Sequence, residues 1–425
     1  MSTPAPARSP LGTIFLTIFI DMLGVGVIIP ILPVLFFEPG STLFGPEVSA
    51  AAKSVTYGFL IAAYPLLQFF GAPLLGSLSD KFGRKPVLLI SLLGTLAGYL
   101  LFAYAIHERL LWLLFAARML PGFTGGNIAV IFSSIADVST PAERTKNFGL
   151  VGAAFGIGFV LGPTIGGLLA DDGLVSWFSP TLPLLFVAAL TTVNIALVVW
   201  RFPETNQQRT ASKLDPLSGF RNVAAAFASP NLRGIFAVVL LISLGFTFFT
   251  QFFSVYLIQE FDWAERRVGF LFGWVGIWLA ITQGLIVRRM AGRVLPKRAL
   301  TYSILGVSVA IGLLLLPQRD TWFWLLNPLI ALAYGVTSPN LTSAVSEEAS
   351  AQEQGRILGI NQSMQSLGQF VPPVIAGYLN ALDARLPLVA AAGLVAVAWV
   401  VFVWVGRGER PGDYPRQSST QASAS

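Results

Sequence analysis

Residues 76–89, GSLSDKFGRKPVLL, form a short, densely charged stretch between two long apolar segments. One segment ends near Leu75 and the next begins near Val87. Asp80, Lys81, Arg84 and Lys85 are costly in hydrocarbon, so the stretch is expected to be a turn in water at one membrane face. Gly76 and Gly83 permit close backbone approach and left-handed geometry, and Pro86 suits the first turn of a following helix. The rest of the chain is then read as helices that cross and re-cross a bilayer.

Composition points the same way. Of 425 residues, 54% are hydrophobic and only 11% charged, with a mean hydropathy of +0.71, whereas soluble domains average about a quarter charged. The 41 glycines and 27 prolines suit membrane helices. The absence of cysteine excludes disulfides and thiolate metal sites. The single histidine, His107, argues against a histidine metal cluster or a His-based triad. No metal or cofactor is expected. The spans carry no acid pair or Ser–His arrangement and the chain has no GxxxxGK[ST] pattern, so neither an enzyme nor an ATP-driven machine is expected. The net charge of +6 is dispersed over short loops, which reads as a topology signal rather than a nucleic-acid surface.

Apolar segments recur at about twelve places, near 11–36, 54–76, 86–106, 110–136, 147–170, 181–201, 232–258, 266–287, 298–316, 322–346, 355–381 and 387–406. Most reach the roughly 20 residues a crossing helix needs. The first run, from Leu11, is read as a span rather than a cleaved leader. With both termini cytoplasmic, 20 of the 27 basic residues fall inside and six outside, Arg118 lying within a span. That bias favours both ends inside. The longest polar stretch, 202–231, divides the chain, and Glu143, Gly149, Gly158, Pro163 and Gly167 recur 210 residues later as Glu353, Gly359, Gly368, Pro373 and Gly377. The expected organisation is an all-α membrane protein of two pseudo-symmetric six-helix bundles, 1–201 and 232–406. A cytoplasmic linker, 202–231, joins them, a disordered tail, 407–425, follows, and a binding site is expected between the bundles at mid-membrane.

Asp21 lies well inside the first span, in IFLTIFIDMLGVGVIIPILP. Burial disfavours an ionised carboxylate, so Asp21 is expected either to take and release a proton in the working pH range or only to hydrogen-bond a neighbouring helix. Arg118, in the fourth span, stays charged and needs a carboxylate, carbonyls or water. Asp21 is one candidate partner, and snorkelling to an interface is the other reading. In the fifth span, Gly149, Gly158, Gly162, Pro163, Gly166 and Gly167 allow close helix approach, for tight packing alone or for conformational change. Asp137 and Glu143 flank the loop before that span and are candidates to pair with the basic turn at Arg84. Polar and aromatic residues within spans are candidates to line a substrate site, or only to pack: Asn127, Phe248, Gln251, Phe252, Trp274, Trp278, Gln283, Asn327, Tyr334, Asn361, Gln362 and Gln365. Trp322 and Trp324 read as interface anchors.

These motifs resemble the major facilitator superfamily, in particular its twelve-helix drug:proton antiporters, which include bacterial tetracycline efflux proteins. GSLSDKFGRKPVLL resembles the family's signature loop between helices two and three, and DMLGVGVIIPILP its first-helix motif. The Arg118 stretch resembles the fourth-helix motif, and the glycine–proline pattern of the fifth span resembles that of antiporters. The resemblance implies an inner-membrane secondary transporter that works as a monomer and exchanges protons for a small amphipathic molecule. Asp21 and Arg118 would serve proton coupling. Gly76, Asp80, Gly83, Arg84, Lys85, Asp137 and Glu143 would form a latch, Asp80 facing the start of helix eleven near Gly355. One departure stands out. Where tetracycline exporters carry further carboxylates in helices three and nine, this chain has Gly98 and an acid-free ninth span, so a neutral or weakly basic amphiphile is expected. Uptake of a sugar or other polar metabolite with protons, and a non-transporting scaffold or receptor, are the other readings.

Overall fold

The structure is a computed structural model that describes residues 11–38, 43–45, 47–139, 141–206, 209, 217–228, 232–290, 293–347 and 354–407; several side chains within 141–159 and 346–359, and those of 406–407, lie outside the description. Among the described residues the chain is helical and has no strand. In order, the helices are α1 (Leu11–Phe37), α2 (Ala50–Phe82), α3 (Arg84–His107), α4 (Leu111–Thr124), α5 (Asn127–Val138), α6 (Pro141–Ala170), α7 (Leu182–Arg201) and α8 (Ser218–Ala228). They continue as α9 (Arg233–Phe261), α10 (Glu265–Ile281), α11 (Arg288–Met290), α12 (Pro296–Leu313), α13 (Phe323–Glu347), α14 (Gln354–Leu382) and α15 (Leu386–Arg407). Eight described helical segments are long and apolar enough to cross a bilayer, α4 and α5 counting as one. The other four expected spans coincide with α6, α12, α13 and α14.

Local chemistry sets several boundaries. Gly83, at φ +106, ends α2, and its N–H donates to Ser79 O at 3.1 Å. Only glycine enters that backbone region readily. Ser49 caps α2 by accepting from Ala52 N, and Asp262 closes α9 in the left-handed conformation. Pro183 and Pro296 stand in the first turns of α7 and α12, where a missing N–H costs nothing.

The structure refines four expectations. The fourth span is not continuous: it breaks at Gly125–Gly126 into α4 and α5. The eighth span carries a π-helical stretch, Thr282–Val287, before α11. Gly76 is not a point of close backbone approach, since a Cβ there would meet only Ala129 Cβ at 3.7 Å. The polar stretch after α7 contains helix α8, which packs on α2, α9 and α14.

The packing repeats along the chain. α1 lies along α6 and α7, and α9 lies along α14 and α15. α3 packs on α4 and α7, while α12 packs on α13 and α15. Contacts between the two sets run mainly through α2 on α14 and α6 on α10. The backbones approach closely there: a Cβ on Gly167 would stand 2.7 Å from Glu265 O, and one on Gly377 2.7 Å from Ser54 O. These contacts lie toward the end of the bundle opposite Gly83, where α2 begins and α6 ends.

Candidate functional site

Asp21 sits ten residues into α1, about 15 Å along it at 1.5 Å per residue. What reaches it depends on the break in the fourth span. At the break Gly125 N–H turns back to Pro121 O at 2.6 Å. The Ser91 hydroxyl donates to Thr124 O, and Gln68 Nε2 donates to Gly125 O at 3.4 Å. The interrupted backbone is thus satisfied inside the protein, as a bilayer demands. The chain restarts as a helix at Asn127, whose Nδ2 donates to Asp21 Oδ2 at 2.6 Å. Asp21 Oδ1 is enclosed and has no hydrogen-bond partner among the described residues.

Arg118, on α4, does not pair with Asp21. Its guanidinium carbon lies 5.0 Å from the centre of the Tyr64 ring, a cation–π arrangement. Its Nε is enclosed without a partner among the described residues, so this side chain does not snorkel to an interface. Tyr99, on α3, brings its hydroxyl against Gly24 of α1, leaving no room for a Cβ there. Tyr64 and Tyr99 were not singled out from the sequence, where nothing local distinguishes them from the other tyrosines. Gly98 lies beside this cluster, and a Cβ on it would stand 2.7 Å from the Pro121 ring. A carboxylate side chain at 98 has no space in this packing.

The Gly83 turn holds a second constellation, and it is not simply bathed in water. Arg84 is 7% exposed. Its Nε donates to Asp137 Oδ2 at 3.0 Å, and its Nη1 to Ser79 Oγ at 2.6 Å and Asp80 Oδ1 at 2.5 Å. Asp80 therefore meets Arg84; the side chains at the start of α14 that it was expected to face lie outside the described residues, as do those of Glu143 and Gly149. Glu204, two residues past the Phe202 cap of α7, accepts from Arg84 N at 2.8 Å and Lys85 N at 3.1 Å. It thereby caps the first N–H groups of α3. Asn206 Nδ2 donates to Asp80 O at 3.0 Å and Ser79 O at 3.3 Å, the last turn of α2. Thr205 Oγ1 donates to Asp137 Oδ2 at 3.2 Å, and Lys85 Nζ donates to Val199 O at 2.8 Å. Residues 204–206 form a strap over the turn. The only sequence signal for it was a carboxylate just beyond the sixth span.

In α6, Gly158, Gly162 and Gly166 press on α1, and a Cβ at Gly162 would stand 2.7 Å from Gly26 Cα. Gly167 presses on α10, and Pro163 lies between the two, its ring against Gly26 of α1 and its carbonyl against Gly269 of α10. The substrate-site candidates scatter. Phe248 and Phe252 are core residues, 4% and 0% exposed, and Phe252 meets the Tyr57 ring edge-on. The Gln251 carbonyl accepts from Tyr57 at 3.3 Å. Trp274 Nε1 donates to Trp324 O at 2.9 Å, and Trp324 is half-buried on Trp263 rather than a free interface anchor; Trp322 is exposed. Tyr334 stacks on Phe246 with ring centres 3.5 Å apart. Asn327 bonds its own helix at Phe323 O, while its Oδ1, Asn361 Oδ1 and Trp278 Nε1 are enclosed without partners among the described residues. Gln283 is exposed on the π-helical stretch and Gln365 is half-buried.

Stacked bilayer-length helices in two similarly packed sets, with an acid partnered by an asparagine inside the first set, define a polytopic membrane protein of the transporter class. The Major Facilitator Superfamily profile matches residues 14–373. The chain belongs to that family and is a multi-pass membrane transporter rather than an enzyme. It is 32% identical to the class D tetracycline resistance protein of Salmonella ordonez over 85% of this chain and 86% of that one. It is 30% identical to major facilitator superfamily domain-containing protein 10 of Bos taurus over 88% and 87% of the two chains. The crystal structure of the human organic anion transporter MFSD10 (TETRAN) superposes with a TM-score of 0.70 at 24% identity, covering 94% of this chain and all of that one.

Proposed function

We propose that this transporter exports a small amphipathic, drug-like molecule in exchange for protons, with Asp21 as the group that loads and unloads. The observation that carries the proposal is the state of the Asp21 carboxyl: one oxygen takes an amide N–H and the other is enclosed with no partner among the described residues. A buried orphan oxygen is expensive for a charged carboxylate and inexpensive once it carries a proton. Arg118, held over Tyr64 without a carboxylate of its own, is the cation that favours the ionised form when the proton leaves. Binding of the proton and of substrate at one central region, and rocking of 1–201 against 232–406 across the α6 and α2 glycine contacts, complete an alternating-access cycle. In this reading the Gly83 end faces the cytoplasm of an inner membrane, as do both termini, the linker 202–231 and the tail 407–425. The chain acts as a monomer.

The tetracycline resistance relatives support drug antiport. The crowding of Gly98 by Pro121 and the absence of acid from α12 favour a neutral or weakly basic substrate over a cationic metal–tetracycline complex. A second reading, proton-coupled uptake of a polar metabolite, is favoured by the unpartnered amide oxygens of Asn327 and Asn361. Proteoliposomes with the cytoplasmic face outward decide between them, with tetracycline, ethidium and a panel of sugars as probes. Antiport requires accumulation of a probe when the lumen is acid. Movement of probe and proton in the same direction establishes the second reading. For Asp21→Asn, gradient-driven accumulation is expected to fall at least about tenfold, equivalent to about 1.4 kcal/mol; full activity in that variant removes Asp21 from the mechanism.

A further inference from the structure

A cavity of about 740 Å3 lies between the end of α11, the start of α12 and α13, lined by residues that include Val294, Arg298, Tyr302, Gly306, Leu332 and Val336. None of its lining residues belongs to the Asp21 site or to the Gly83 turn. It opens sideways. Tyr302 is 77% exposed, and Val309, two turns further along α12, is 52% exposed. An apolar flank of this kind on a bilayer-crossing bundle faces lipid.

Arg298 lines the groove, and the sequence around it is strongly basic. Arg288, Arg289, Arg293, Lys297 and Arg298 fall within eleven residues, and no Asp or Glu occurs between Glu265 and Asp320. Arg288, Arg289, Arg293 and Arg298 are exposed and make no ion pair among the described residues. The site thus has two chemistries in series. Arg298 brings positive charge to the start of α12, and an apolar wall is formed by Val294, just before α12, and by Leu332 and Val336 on α13. A ligand that satisfies both carries an anionic headgroup on hydrocarbon chains. Neither a soluble anion nor a zwitterionic lipid does so, because the first leaves the wall wet and the second leaves the rim uncompensated.

We propose that this groove seats an anionic phospholipid, its phosphodiester at Arg298, with the exposed Arg293 five residues earlier in the chain adding positive charge, and an acyl chain against Val294, Leu332 and Val336. Tyr302, an amphipathic side chain at the lipid-facing rim, closes over the glycerol region. Occupancy would tie α11, α12 and α13 together at a point where the helix before them is irregular, the π-helical stretch Thr282–Val287.

The test uses the full chain in detergent, titrated with phosphatidylglycerol, phosphatidylcholine or glycerol 3-phosphate and read by native mass spectrometry. Saturable phosphatidylglycerol binding, at least about tenfold tighter than phosphatidylcholine, is expected. The double variant Arg293→Gln with Arg298→Gln weakens it by roughly tenfold or more, on the scale of two basic residues at an anionic surface. Arg319→Gln, at the opposite end, leaves it unchanged. Equal binding of the two lipids, equal competition by glycerol 3-phosphate, or an unaffected double variant overturns the proposal. A second measurement does not depend on that variant folding. The chain has no cysteine, so Tyr302→Cys provides one thiol at the rim. Phosphatidylglycerol is expected to slow its maleimide labelling several-fold and phosphatidylcholine to leave it unaltered; labelling indifferent to both overturns the proposal as well.

Discussion

The two ends of the bundle are held by different physics. At the Gly83 end the charged contacts among the described residues are directional and stay within the first set of helices and the strap that follows it: Arg84 with Asp80 and Asp137, Glu204 on the first N–H groups of α3, Asn206 on the last carbonyls of α2. At the opposite end the contacts cross between the sets and are mostly backbone on backbone, Gly167 on Glu265 and Gly58 on Gly377. A polar network has one geometry and loses much when a member is removed. Glycine faces carry little directional preference and can part and re-form. The comparison teaches that the first end is built to keep its own shape, whereas the second is built to be a separable joint.

Removing Arg84 is the strongest way to break this contrast. Arg84→Gln leaves two carboxylates without their cation. Loss of a buried pair costs about 3–5 kcal/mol, but Asp80 and Asp137 are 37% and 24% exposed, so a loss of about 2–3 kcal/mol is expected in thermal or denaturant unfolding. Arg84→Lys should recover only part of this, since an ammonium cannot reach three acceptors in one plane. If Arg84→Gln unfolds like the parent chain, the Gly83 end is not a structural network.

Gly167→Leu attacks the joint. Its Cβ alone would stand 2.7 Å from Glu265 O, so overpacking of about 1–3 kcal/mol should fall on the joined state. Distances between spin labels on α6 and α10 should lengthen at this end while the Gly83 end is unchanged. Coupled movement at both ends would sharpen the comparison into a rocking motion; no movement at either would remove the idea of a joint.

Glu204→Ala deletes the strap's cap on α3, and about 1 kcal/mol is expected, as for other N-terminal caps. Hydrogen exchange at Arg84 and Lys85 amides should rise with it. The smallest effect belongs to the one ion pair across the joint among the described residues, Arg266 with Asp171 at 2.8 Å, where Arg266 is 46% exposed. Asp171→Asn should cost no more than about 0.5 kcal/mol. A larger loss would mean that charge, not glycine packing, holds this end.

Parts of this were legible in the chain and parts were not. The Arg84–Asp137 pair could be anticipated because both residues are charges at the ends of apolar runs, and such charges seek one another at a membrane face. Gly83 announced a positive φ. Asp21 stood out as an acid in an apolar run, but its partner did not. Arg118 was the obvious cation, yet Asn127 takes the carboxyl, because the Gly125–Gly126 break turns α5 so that its first side chain points at α1. Phe248 and Phe252 looked no different from cavity-lining aromatics and are core, since burial depends on neighbours far away in sequence. Glu204 and Asn206 are ordinary polar residues until the end of α7 is brought back over the Gly83 turn.

Hydropathy, glycine and proline placement and the charged turn determined, without any coordinates, a helical chain threaded repeatedly through a bilayer, because backbone groups in hydrocarbon must bond within their own helix and charges must leave it. Which side chain meets Asp21, what the guanidinium of Arg118 rests on, and which end of the bundle joins the two sets were decided only by tertiary structure. Those contacts join residues from about 50 to more than 300 positions apart, and no local pattern encodes the rotation and depth at which two packed helices present their faces.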